Sequence, residues 1–76
     1  MTRAPAVLRA EITKAVGPGT AYLLTRLYLQ DGAILEQTNP GVPDAEEDWK
    51  PIGTEPDLPG VAARLRREGW LVSELR

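Results

Sequence analysis

Leu58–Arg76, LPGVAARLRREGWLVSELR, with Asp57 ahead of it, reads as an amphipathic helix, a glycine stop and a closing strand. Leu58, Val61, Ala62 and Leu65 follow the i, i+3, i+4, i+7 spacing that gathers apolar side chains on one helical face. Arg64, Arg67 and Glu68 fall on the other side. Asp57 is placed to cap the N-terminus, and Pro59 is tolerated in the first turn. Gly69 stands where a left-handed residue ends a helix, and Trp70 follows it, able to fold back on the last turn. The helix is therefore expected over about 58–68, with a strand from Trp70 to Leu75. A helix with one apolar stripe needs a surface to cover, so the upstream chain is expected to supply a sheet.

That sheet is legible in the first half. Ala6–Val16 alternates, with Leu8, Ala10 and Ile12 on one side and Val7, Arg9, Glu11 and Thr13 on the other. Gly17-Pro18-Gly19 is a turn, Thr20–Leu29 a second strand, Asp31-Gly32 a hairpin pair and Ala33–Thr38 a third strand. A two-residue Asp31-Gly32 turn pairs Leu29 with Ile34 and Tyr28 with Leu35. A four-residue loop Gly17–Thr20 pairs Val16 with Ala21, and so Leu8 with Leu29. This register collects Leu8, Ala10, Ile12, Leu23, Leu27, Leu29 and Ile34 beneath the helix. A three-residue alternative mixes Arg26 and Tyr28 into that face and is disfavoured by the apolar pattern.

The expected fold is α+β: a three-stranded antiparallel meander, one crossover helix and a final strand, β-β-β-α-β, with the helix on one sheet face. The final strand is expected beside the first, in the order 3-2-1-4 and parallel to it. One domain spans 1–76, and 39–57 forms a long loop rich in proline and acid within it. Asn39–Gly60 holds five prolines, six acids and a single base, Lys50. Trp49 and Ile52 are expected to pin this loop, with Asp48–Ile52 running extended along a sheet edge.

Composition narrows function. Seventy-six residues lie near the lower size at which a core alone sustains folding, so a stabilising partner is expected, self-association being the simplest. The chain has no cysteine and no histidine, which removes disulfides, thiol chemistry, imidazole metal ligands and the usual neutral-pH proton shuttle. A net charge of −2 speaks against bulk nucleic-acid binding. No run reaches the length of a membrane span, and Met1–Ala15 lacks a signal core, so a cytoplasmic location is expected. Seven arginines against two lysines suit a heat-adapted or GC-rich source.

Four constellations bear on chemistry. Asp44, Glu46, Glu47 and Asp48 form an acidic run that does not match a calcium loop, and it reads as a solvated segment. In the favoured register Arg9, Tyr22, Arg26 and Tyr28 share the sheet face away from the helix, the parts of a single-strand stacking platform. Leu24 and Leu35 join the tyrosines there, and a face that apolar reads better as covered by protein. Arg64, Arg66 and Arg67 form an ordinary solvated helix face. Ser73, the only serine, has no base to activate it.

The strand order is also that of the first half of ribonuclease-H-like folds. Glu11 and Glu36 fall on opposite sheet faces, however, which excludes a shared nuclease site. Pro56-Asp57-Leu58-Pro59-Gly60 resembles the PDLPG segment of HicB-type antitoxin domains over those five residues. In that family the segment leads into a glycine-aspartate-threonine stretch, whereas here the helix starts at once, so a toxin partner is not carried over.

The expectation is thus a non-enzymatic protein-interaction domain without cofactor or metal, a homodimer joined through Tyr22, Leu24, Tyr28 and Leu35 or through an open sheet edge. The alternative is a nucleic-acid module using Arg9, Tyr22, Arg26 and Tyr28.

Overall fold

The computed structural model describes residues 4–38 and 49–75. Its elements are β1 (Ala6–Gly17), β2 (Thr20–Leu29), β3 (Ala33–Thr38), β4 (Lys50–Thr54), α1 (Leu58–Arg67) and β5 (Leu71–Glu74). They form a five-stranded sheet in the order β4-β3-β2-β1-β5, with every neighbouring pair antiparallel. The α+β class, the meander, the helix and the closing strand beside β1 are all present.

Two corrections apply to the expected topology. The segment after Trp49 is not only extended along an edge: Lys50–Thr54 is a full strand on β3. That extra strand reverses the direction in which the chain enters the helix. The closing strand therefore runs antiparallel to β1, not parallel to it, and α1 carries the chain from one edge of the sheet to the other. The proline- and acid-rich stretch is correspondingly shorter than 39–57, and its run Asp44–Asp48 lies outside the described residues.

Helix α1 forms where its signals place it. The Asp57 carboxylate accepts from the Gly60 N–H at 3.3 Å, and Val61, Ala62 and Leu65 are buried. At the far end Gly69 adopts φ 97°, which L-residues with a side chain rarely tolerate. The Trp70 N–H donates to the Leu65 carbonyl at 3.0 Å and the Gly69 N–H to that of Arg66 at 3.2 Å. These are the two bonds of a Schellman stop, and Trp70 packs beside Leu65 in the core.

The registers differ from those expected by one residue in each hairpin, for separate reasons. At the first turn Gly17 and Thr20, expected inside the loop, pair with each other, and Ala15 rather than Val16 pairs with Ala21. Val16 is therefore an extra residue, a bulge that shifts the rest of the hairpin so that Leu8 meets Tyr28 and Ala10 meets Arg26. At the second turn the loop is Gln30-Asp31-Gly32, three residues rather than two. The Gly32 N–H donates to the Leu29 carbonyl at 2.9 Å, Gly32 takes φ 96°, and the Asp31 carboxylate accepts from the Ala33 N–H at 3.0 Å. This is a tight turn closed by a left-handed glycine, and it sets Tyr28 opposite Ile34.

The two shifts redistribute β2. Leu24, Arg26 and Tyr28 join Leu8, Ala10, Ile12, Ile34 and Val72 beneath the helix, the arrangement the apolar pattern disfavoured. Leu27 and Leu29, expected in that bed, turn to the opposite face with Leu35 and pack under Trp49 as a second, smaller cluster. Leu23 leaves the helix face with them, opposite Thr13. A further bulge at Val7 precedes the last pair of the long hairpin, Ala6 with Leu29.

Candidate interaction surface

The expected surface residues do not share a face. Tyr28 is 1% exposed and lies in the main core under α1. Leu24 borders the same core, half-buried, and Tyr22 sits opposite Lys14 on the distal hairpin. Leu35 is on the other side of the sheet, covered with Trp49. The reason is the parity of the β2–β3 turn: three loop residues in place of two put Leu35 with Leu27 and Ile34 with Tyr28.

The stacking platform is divided in the same way. Arg26 points to the helix side, its guanidinium 4.8 Å from the centre of the Trp70 ring and its Nε 2.7 Å from a Glu36 carboxylate oxygen. Its partial burial alone would lower the guanidinium pKa, but the hydrogen bonds and charges of Glu36 and Tyr28 outweigh it and hold the pKa above its ordinary value. Arg9 points to the opposite face and pairs with Glu11 at 3.2 Å. Each arginine thus has its own carboxylate, and Tyr28 offers no ring face to a base. Glu11 and Glu36 stand on opposite faces in this register too. Among the described residues no group of three or more acidic, histidine or cysteine side chains gathers as metal ligands, and no helix is long and apolar enough to cross a membrane.

What the fold leaves open lies at its edges, and the two edges are built differently. The outer strand β4 is exposed along its length, but Pro51 has no N–H to offer. Its Ile52, 45% exposed, is a bulge between the pairs Gly53–Ile34 and Pro51–Leu35. Proline, lysine and a bulge are the usual devices that stop an edge from recruiting another strand. β5 has no proline, lysine or bulge; its short length and Glu74 at its end are its only such features. It reads Leu71-Val72-Ser73-Glu74, with Leu71 74% exposed and the following Leu75 39% exposed.

β5 also covers only Leu8–Glu11 of the twelve-residue β1. Where it stops, an open cleft of about 300 Å³ is lined by Glu11, Ile12, Thr13, Leu23, Gly69 and Leu71. The sequence carried one local sign of this edge, apolar residues on both sides of the closing strand. A strand whose two faces are both covered reads the same way, so the pattern alone does not mark an edge. No protein-family model, curated protein or solved structure matches the chain.

Proposed function

We propose that this chain is a small, non-enzymatic protein-interaction domain that self-associates through an open edge of its sheet. The observation that carries this reading is the contrast between the edges: β4 is guarded by Lys50, Pro51 and the Ile52 bulge, while β5 carries no proline, lysine or bulge and presents Leu71. An edge strand with free backbone groups and exposed apolar side chains is a template for another strand, and proteins that stay monomeric blunt such edges. The size of the chain points the same way, since a core this small gains from added burial.

The test is solution mass by light scattering at low and high salt. Association through backbone pairing and leucines predicts dimer at both, because neither contribution is strongly screened. A monomer at both, at every accessible concentration, contradicts the reading. A dimer lost at high salt points instead to charged surfaces such as Arg64, Arg66 and Arg67.

A further inference from the structure

We infer that the partner on this edge is a second copy of the same chain, its β5 antiparallel to the first with the two-fold axis at Ser73. The inference rests on the self-association proposed above and adds the strand, the direction and the register. It follows from three constraints on how β5 can pair with itself.

The first is backbone parity. The Leu75 N–H donates to the Val7 carbonyl, and β5 pairs with β1 as Leu71–Glu11, Ser73–Arg9 and Leu75 beyond them. In an antiparallel ladder the residues that bond one neighbour alternate with those that face the other. Leu71, Ser73 and Leu75 are thus committed to β1, and Val72 and Glu74 direct their N–H and C=O groups outward. A second strand can bond only to these two, so the axis must pass through a residue and not between residues.

The second constraint selects which residue. An axis at Val72 requires Trp70 to bond the partner's Glu74, but the Trp70 N–H is already given to the Leu65 carbonyl in the helix stop. An axis at Glu74 sets two Glu74 carboxylates directly opposite each other, which is destabilising. An axis at Ser73 pairs Val72 with Glu74 of the partner subunit twice over and uses all the outward groups.

The third is the side-chain sequence. Leu71 and Leu75 lie two positions on either side of Ser73, so the strand presents leucines symmetrically about that residue. In the Ser73 register each exposed Leu71 falls opposite the partner subunit's Leu75. Ser73 meets its own copy as a small residue in the closely spaced, non-hydrogen-bonded position. A two-fold interface needs a patch that is complementary to itself, and Leu-Val-Ser-Glu-Leu meets that requirement. The result is a continuous ten-stranded sheet with both helices on one side. A pairing this short falls in the small class of interfaces, below about 1,200 Å², so the dimer is expected to dissociate on dilution.

The chain contains no cysteine, which makes cross-linking a clean test. At the axis the two Ser73 Cα atoms are expected about 4.5 Å apart, inside the 4.4–6.8 Å range a disulfide spans. In a glutathione redox buffer, Ser73→Cys should form a disulfide dimer on the order of a hundredfold faster than Lys14→Cys, because pairing raises the local thiol concentration from about ten micromolar to about millimolar. Leu71→Glu added to Ser73→Cys should abolish that advantage while leaving the monomer folded by circular dichroism. If the wild type is dimeric by mass but Ser73→Cys cross-links no faster than Lys14→Cys, this register is wrong and self-association through another surface stands. If the wild type is monomeric at every concentration and Ser73→Cys shows no advantage, both fail.

Discussion

Arg26 decides how the helix face of the sheet differs from an ordinary apolar bed. It occupies the centre of β2 beneath α1, with Trp70 over its guanidinium, Glu36 beside it and Tyr28 two residues on. A charge can stand there because its head group is shared between a ring face and a carboxylate and remains partly in contact with solvent. Tyr28, fully buried, carries more of the packing. Tyr28→Ala should cost about 3–5 kcal/mol, as for other large aromatic truncations. A domain of this length is expected to have only about 4–11 kcal/mol in all, so the variant should be largely or wholly unfolded in urea titration. Arg26→Ala should cost less, about 1–2 kcal/mol, since its ion pair is partly exposed and the cation–π contact is modest. The folded-state pKa of Arg26 is raised above its unfolded value. Its contribution is therefore complete below the unfolded value and is lost only as pH rises through the folded one. The gap between wild type and Arg26→Ala should accordingly hold from neutral pH to about pH 10. No sequence signal marked this cluster, because Arg26 reaches Trp70 only after a one-residue shift in register.

At the scale of elements, the helix was legible and the strand registers were not. Every signal used for α1 acts within a few residues: the Asp57 cap, the apolar spacing and the Gly69 stop. Asp57→Ala should therefore lower stability by about 1 kcal/mol without changing the fold, read as a shift in the urea midpoint at constant slope. Registers depend on where single extra residues go. Gly17-Pro18-Gly19 located the first turn, but not the pairing beside it: Val16 bulges and Ala15 takes its place opposite Ala21. Asp31-Gly32 is compatible with both a two-residue and a three-residue loop, and the Asp31 side chain helps hold the longer one by accepting from Ala33. Leucines alternate with tyrosine and arginine in β2 in such a way that either face can be called apolar. Hydrophobic pattern alone therefore had little power to choose between them.

At the scale of the whole molecule, a single short strand changes the architecture. Lys50-Pro51-Ile52-Gly53-Thr54 has a proline and a glycine in five residues, a composition that argues against a strand. It pairs because it lies at the edge, where Pro51 needs no inner partner and Ile52 can bulge. Its presence turns the four-stranded plan into five strands, reverses the last one and makes β5 the outer strand at the end opposite β4. The candidate surface thereby moves from a sheet face, where the tyrosines were expected, to an edge defined by backbone groups.

The most direct measurement is amide hydrogen exchange at Val72 and Glu74, compared between dilute and concentrated protein. Paired β5 strands predict that both amides are protected at high concentration and become fast on dilution, while Leu8 and Ala10, bonded within the sheet, stay slow throughout. Fast exchange at Val72 and Glu74 at every concentration, in a protein whose β1 amides remain slow, would contradict the account.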